Sequence, residues 1–282
     1  CADFAASRIA LAGLAMFSVI LAAAVFAPLL SPQDPYDLRQ LDIMDGRQPP
    51  MTPSMGGFVF WLGSDDQGRD MLSAIFHGLR TSLGVGALSA MGALAIGAAA
   101  GLAAAYFGGR VETLIMRVVD IQLSFPSILV ALILLAVLGQ GTWKIVVALI
   151  CVQWAYYART VRGTALVERR KEYVEAARCL ALGHRRIVLR HILPNCMPPL
   201  IVVVTVQVAH AIALEATLSF LGIGLPITEP SLGLLIANGF EYLLSGKYWI
   251  SFFPGIALLA TIVSINLVGD QLREILNPRL QR

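Results

Sequence analysis

Residues 81–109, TSLGVGALSAMGALAIGAAAGLAAAYFGG, form a stretch of 29 positions without a charge, bounded by Arg80 and Arg110. A spanning helix needs about 20 predominantly apolar residues, because each adds about 1.5 Å across a hydrocarbon core about 30 Å thick. This stretch exceeds that length. Its Gly84, Gly86, Gly92, Gly97 and Gly101 suit close helix packing in lipid, and Gly97 with Gly101 makes a GxxxG. Such packing serves either the helices of this chain or an interface with a second membrane chain.

The other charge-free runs repeat the pattern. They cover residues 9–30, 121–143, 145–158, 191–214 (continued past Glu215 to about 220) and 248–269. The run at 145–158 is short and spans only if Lys144 snorkels at one end and Arg159 and Arg162 at the other. Of the 282 residues, 57% are hydrophobic and 14% charged, against about 25% charged in soluble domains. A surface so poor in charge excludes a water-soluble globular protein. The expected fold is all-α and polytopic, with six transmembrane helices. Residues 9–30 exceed the apolar core of a secretory signal peptide, about 7–15 residues, so they are expected to stay as a span. A lipid anchor on Cys1 would be redundant beside it.

Six spans put both termini on one side. With that side inside, 15 of the 21 Lys and Arg residues face the cytoplasm, as the positive-inside rule requires. Residues 31–80 then face outward. Gly46, Pro49, Pro50, Pro53, Gly56 and Gly57 forbid long regular structure there. After them, Met71, Leu72, Ile75, Phe76 and Leu79 recur at helical spacing, which predicts a short amphipathic piece at the membrane interface. Cys1, Cys151, Cys179 and Cys196 have no metal or redox spacing and are expected to be free thiols.

The basic stretch at residues 172–195, EYVEAARCLALGHRRIVLRHILPN, is cytoplasmic on this topology and has no Pro before Pro194. Tyr173, Val174, Ala177, Leu180 and Ala181 share a helical face. Ala176 and Ala177 let another surface approach the backbone. Gly183 is a helix stop, and Pro194 breaks the pattern near the first turn of the next span. Two readings fit. The helix rests on headgroups, its arginines neutralised by anionic lipid, or it docks a cytoplasmic partner.

The stretch resembles the EAA loop of ABC importer permeases. Glu175-Ala176-Ala177 and Ile192-Leu193-Pro194 match at about the family's spacing. The family's Gly, six residues after the Glu, is Ala181 here, with Gly183 two residues later, so the resemblance implies a turn that is shifted or differently shaped. Residues 62–73, LGSDDQGRDMLS, resemble the LGTDxxGRDxLS segment of dipeptide/oligopeptide permeases. Arg117-Val118-Val119-Asp120 with Ser124-Phe125-Pro126, residues 215–222 (EATLSFLG), and Asp270-Gln271-Leu272-Arg273 with Asn277-Pro278-Arg279 are similar to later parts of that family. In this order the motifs resemble the second, C-type, permease subunit.

The resemblance implies a type I ABC importer permease core at residues 79–282, with its coupling loop at about 166–195. Residues 1–78 supply a first helix and an extracytoplasmic loop rich in Pro and Asp. It implies a bacterial plasma (inner) membrane location, a second homologous permease, two cytoplasmic ATPase subunits that bind ATP and Mg, an extracytoplasmic peptide-binding protein, and di- or oligopeptide cargo. Relatives of this type carry nickel, glutathione, haem or oligosaccharides. The residues expected to couple to the ATPase are Tyr173, Glu175, Ala176, Ala177, Leu180, Ala181 and Gly183. A bulky charge at Ala177 is expected to uncouple the ATPase and leave the membrane fold intact.

The chain is not expected to bind nucleic acid, a metal or any cofactor of its own. His77, His184, His191 and His210 show no metal spacing, and no GxxxxGK[ST] occurs. Two acids lie at or inside spans, where ionisable groups are costly. Asp120 is expected either to pair with a nearby Arg such as Arg117 or to touch cargo. Glu215 either lines the pathway, bonds between helices, or holds the turn at Gly222 and Gly224. An intramembrane hydrolase would need facing catalytic partners for these acids, and the spans supply no such set.

Overall fold

The computed structural model describes residues 7–276 except Tyr36 and Ile227. Cys1, the Asn277-Pro278-Arg279 motif and Arg282 lie outside the described residues.

Helix α1 (Arg8–Val25) starts where the Ser7 side chain accepts from the Ala10 amide. After a break at Phe26 the short α2 (Ala27–Leu30), with Pro28 in its first turn, completes the expected first run. The outer segment then contains two 3₁₀ turns and one minimal hairpin, β1 (Thr52–Pro53) antiparallel to β2 (Val59–Phe60), with Thr52 opposite Phe60. The Gly and Pro content keeps regular structure this short.

Helix α3 (Met71–Phe107) runs unbroken for 37 residues, about 55 Å. This corrects the expected separate interfacial piece at residues 70–79. Met71 shares a core cluster with Trp249 and Ile250; Ala74, Ile75 and Leu79 share another with Leu232 and Leu235. The apolar stripe is covered by protein instead of headgroups, so the helix carries straight into the span. The GxxxG faces this chain's own helix α6 (Thr142–Glu168): a Cβ on Gly97 would lie 2.4 Å from the Trp154 carbonyl oxygen, and one on Gly101 2.5 Å from that of Ala158.

The expected third run is not one straight helix. It divides into α4 (Gly109–Ser124) and α5 (Ser127–Leu138), which meet at 95°. Pro126 has no amide to donate and holds Phe125 extended, at φ −95° and ψ 142°, which stops α4. Helix α6 continues past the expected end at Ala158 because α4 neutralises its arginines. Arg159 pairs with Asp120, and the Arg162 Nε donates to Glu112 at 2.9 Å. The partner of Asp120 is thus Arg159 and not Arg117, which sits a turn away on the same helix.

After the loop helices α7 (Glu172–Cys179) and α8 (His184–Ile187), a π turn at Val188–Ile192 leads directly into α9 (Leu193–Phe220). Pro194 therefore does not break the chain before the fifth span. It stands in the first turn of α9, where its missing amide costs little, and the π turn takes up the mismatch. Helix α10 (Leu232–Phe240), capped by Ser231, is too short to stand out among the charge gaps. Helix α11 (Trp249–Leu276) closes the described fold.

Among the described residues four helices are long and apolar enough to cross a membrane: α1, α3, the run His184–Phe220 and α11. The bent α4–α5 pair would make a fifth. Helix α6, 27 residues and about 40 Å long, is diluted by Lys144, Arg159 and Arg162. The expected six spans are reached if both the pair and α6 cross. The core lies where α3 packs between α6 and α9, with α11 and α1 against its outer end.

Candidate functional site

The loop between α6 and α9 is a braced structure. Helix α7 begins at Glu172, with Glu172 and Glu175 in its first turn and Arg178 in its last, each favourable to the helix dipole. Its inner face is anchored. Val174 is fully buried and Ala177 is 4% exposed. Both belong to the cluster that includes Leu102, Ala105 and Tyr106 of α3 and Ile187, Ile192 and Cys196 of the following helices. Glu172, Glu175, Ala176 and Cys179 are exposed, and Leu180 is 74% exposed.

This divides the face expected to be shared. Val174 and Ala177 turn inward, while Leu180 and Ala181 stand free at the outer end. Ala177 is therefore part of the packed interior, and a bulky charge there tests the fold of the loop before it tests any partner. Ala176 is the exposed member of the pair.

The helix ends in a Schellman motif. The Ala181 amide donates to Arg178 at 2.9 Å, the Leu182 amide donates to Ala177 at 3.2 Å, and Ala181 adopts φ +53°. Leu182 packs on the same cluster as Ala177, the hydrophobic contact that accompanies such a cap. The turn is not shifted to Gly183, which instead precedes α8 with an ordinary φ of −61°. Ala181 takes the left-handed conformation itself, at the position where the resemblance expects glycine.

Tyr173, expected on the coupling face, holds the loop from within, together with Glu168, Asn195, Arg169 and Tyr106, which lie outside the expected coupling set. The Tyr173 hydroxyl donates to Glu168 at 2.6 Å and accepts from the Asn195 amide at 3.1 Å. Tyr173 thereby ties the end of α6 to the first turn of α9 across the loop. Burial would raise the Glu168 carboxyl, but hydrogen bonds from Lys171 and Tyr173 outweigh it and hold that acid below its ordinary range. Burial and the same carboxylate push the Tyr173 phenol up to about 12. The hydroxyl therefore stays protonated as the donor. The Arg169 Nη1 donates to the Ala105 carbonyl at 2.7 Å, satisfying one of the last acceptors of α3. The Tyr106 hydroxyl lies 2.6 Å from the His184 Nδ1, and the Arg178 guanidinium sits 5.8 Å from the Tyr106 ring centroid. No local spacing predicts these contacts, since Tyr106 and His184 lie on different helices.

The two intramembrane acids lie elsewhere. Asp120 is an exposed member of its ion pair with Arg159. Glu215 is fully buried and accepts from the Ser82 hydroxyl of α3 at 2.8 Å and the Ser219 hydroxyl at 2.7 Å. Ser219 in turn accepts from the Leu225 amide at 3.4 Å, so Glu215 is linked to the turn that follows α9. Among the described residues no three His, Cys, Asp or Glu side chains are placed to hold a metal.

Comparison with known proteins adds the context. Residues 93–282 match the family described as binding-protein-dependent transport system inner membrane component. Residues 2–50 match the N-terminal TM domain of oligopeptide transport permease C. A Brucella suis protein named for a peptide transport system permease is 40% identical over 269 residues, 95% of this chain and 87% of its own. The di/tripeptide transport system permease protein DppC of Pseudomonas aeruginosa is 37% identical over 279 residues, 99% of this chain and 91% of its own. A solved inward-facing conformation of the MetNI methionine ABC transporter shares the fold with TM-score 0.59 at 19% identity, over 73% of this chain and 98% of that one.

Proposed function

The chain belongs to the family of binding-protein-dependent transport system inner membrane components, and on that premise we propose that it passes di- and oligopeptides inward, driven by ATP that other subunits hydrolyse. It is a transport permease and not an enzyme. ATP and Mg belong to two cytoplasmic ATPase subunits, a second homologous permease completes the membrane pathway, and an extracytoplasmic binding protein delivers the peptide. Both termini and the loop at residues 169–192 lie in the cytoplasm. Residues 1–78 form an added helix and outer cap on a permease core at residues 79–282.

The observation that carries the coupling role is the two-sided character of α7. One face is fixed in the core through Val174 and Ala177, and the other presents Glu175, Ala176 and Leu180 to solvent. A partner seated on the outer face moves a lever whose inner face cannot slide. Tyr173 and the cap at Ala181 stiffen it, and Gly183 gives the chain its exit toward α8. Two nucleotide-loaded ATPases closing on each other would draw this lever and its counterpart together, and the spans would reorient with them.

Ala176→Arg in the assembled transporter tests this reading. ATPase association and peptide uptake should both be lost while the permease melts at its usual temperature. Uptake and association at wild-type levels would end it.

A further inference from the structure

A cavity of about 910 Å³ lies between α4, α6, α9 and α11, toward the end of the molecule that carries the braced loop. Its wall is mostly apolar, with Val202, Val203 and Val206 of α9 among its residues. Polar side chains interrupt that wall: Tyr156, Arg159, Thr160, Gln207 and Arg273. The volume exceeds what a tripeptide needs.

The charges decide what the cavity can hold. The Arg159 guanidinium is already paired with Asp120 through one of its amino groups. Arg273 has no ion-pair partner among the described residues; Asp270 and Glu274 flank it on α11, but neither pairs with it nor lines the cavity. Among the described residues the wall therefore presents one cation without an ion pair, Arg273. Gln207 lines the cavity at 6% exposure, and its amide nitrogen, closed off from solvent, has no hydrogen-bond partner, a costly condition that a turn of the side chain toward a bound acceptor would relieve. An uncommitted guanidinium, an unsatisfied amide and a smooth apolar wall form a recognition set without side-chain preference. Every linear peptide offers a terminal carboxylate and main-chain amides, whatever its sequence. Guanidinium matches carboxylate in both charge and bidentate geometry.

We propose that this cavity is a peptide-terminus subsite on the inner half of the pathway, in which Arg273 holds the cargo's C-terminal carboxylate and Gln207 and Thr160 meet its main-chain amides. The inference rests on the peptide-import reading above and adds where the cargo pauses. It also gives a role to the Asp270-Gln271-Leu272-Arg273 segment, which the coupling account leaves unused.

The test is direct binding to the assembled transporter in nanodiscs, nucleotide-free and without binding protein, by ligand-observed NMR. Trialanine is titrated as the free acid and as the C-terminal amide. The wild type should bind the acid about tenfold more tightly than the amide. Arg273→Gln should remove that preference while leaving amide binding unchanged, and Arg273→Lys should restore most of it. Absence of saturable binding, equal binding of acid and amide by the wild type, or a preference that survives in Arg273→Gln would overturn the proposal. If Arg273→Gln abolishes binding of both ligands, the residue is structural and the proposal fails as well. The import reading is judged separately, by uptake of the same tripeptide into proteoliposomes with binding protein and ATP present.

Discussion

The Leu182 amide donates to the Ala177 carbonyl at 3.2 Å across Ala181, which holds φ +53°. An L-residue with a Cβ pays about 1–2 kcal/mol for that conformation, whereas glycine adopts it freely. The loop accepts this cost because both hydrogen bonds of the cap and the Leu182 contact depend on it. Ala181→Gly should therefore stabilise the loop by about 0.5–1 kcal/mol, after allowance for the greater unfolded-state freedom of glycine. Slower hydrogen exchange at the α7 amides is the expected readout. Ala181→Val, with a branched Cβ at the same φ, should speed that exchange.

Ala176 and Ala177 should separate cleanly. Ala177→Arg buries a charge without a partner, a penalty of order 3 kcal/mol or about 5–10 °C in melting temperature. Ala176→Arg meets only solvent in the isolated permease and should leave its melting within about 1 °C, since surface changes cost under about 0.5 kcal/mol. Differential scanning fluorimetry on the two variants decides the matter; equal destabilisation would contradict the placement of their faces.

Tyr173→Phe removes the hydroxyl that joins Glu168 to Asn195. The loss should be about 1–3 kcal/mol, since the acceptor is charged. The α7 surface stays intact, so the ATPase should still bind. A looser lever should waste strokes, and the number of ATP hydrolysed per peptide imported should rise in proteoliposomes.

The outer cap should respond to pH in a defined direction. Burial pushes Asp65 up to about 6, against hydrogen bonds from the Arg69 and Gln67 amides, and Asp70 is raised by burial too. Unfolded aspartate titrates near 3.9. Between these values the folded segment binds more protons than the unfolded one, so its stability falls as pH rises from about 4 to 6 and is lowest above that window. Exchange protection factors for the Gln67 and Arg69 amides should be higher at pH 5 than at pH 7.5. Asp65→Asn keeps an acceptor for both amides and should flatten the difference.

Much of this was legible in the sequence, and the failures share a physical cause. Charge gaps located the apolar helices, because a charge in hydrocarbon is costly whatever surrounds it. Helical spacing placed Val174 and Ala177 on one face, and both are buried. Spacing could not say what covers a stripe: Met71 and Ile75 looked interfacial because Trp249 and Leu235, which cover that stretch, lie far along the chain. The bend at Pro126 was hidden inside a charge-free run, where a count of apolar residues carries no angle. The arginines of α6 looked like a helix end because their acids, Glu112 and Asp120, belong to α4. The Tyr173–Glu168–Asn195 brace is likewise a tertiary contact, and no local pattern encodes it.

Cys179 offers the most direct test of the central claim, because it is exposed on α7 in the native chain. The measurement is its alkylation rate by a charged maleimide in inside-out vesicles, read by peptide mass spectrometry with and without the ATPase subunits. If α7 is the seat of the ATPase, bound subunits should slow Cys179 labelling at least tenfold, and stripping them should restore it. Labelling at the same rate in both preparations would contradict the account.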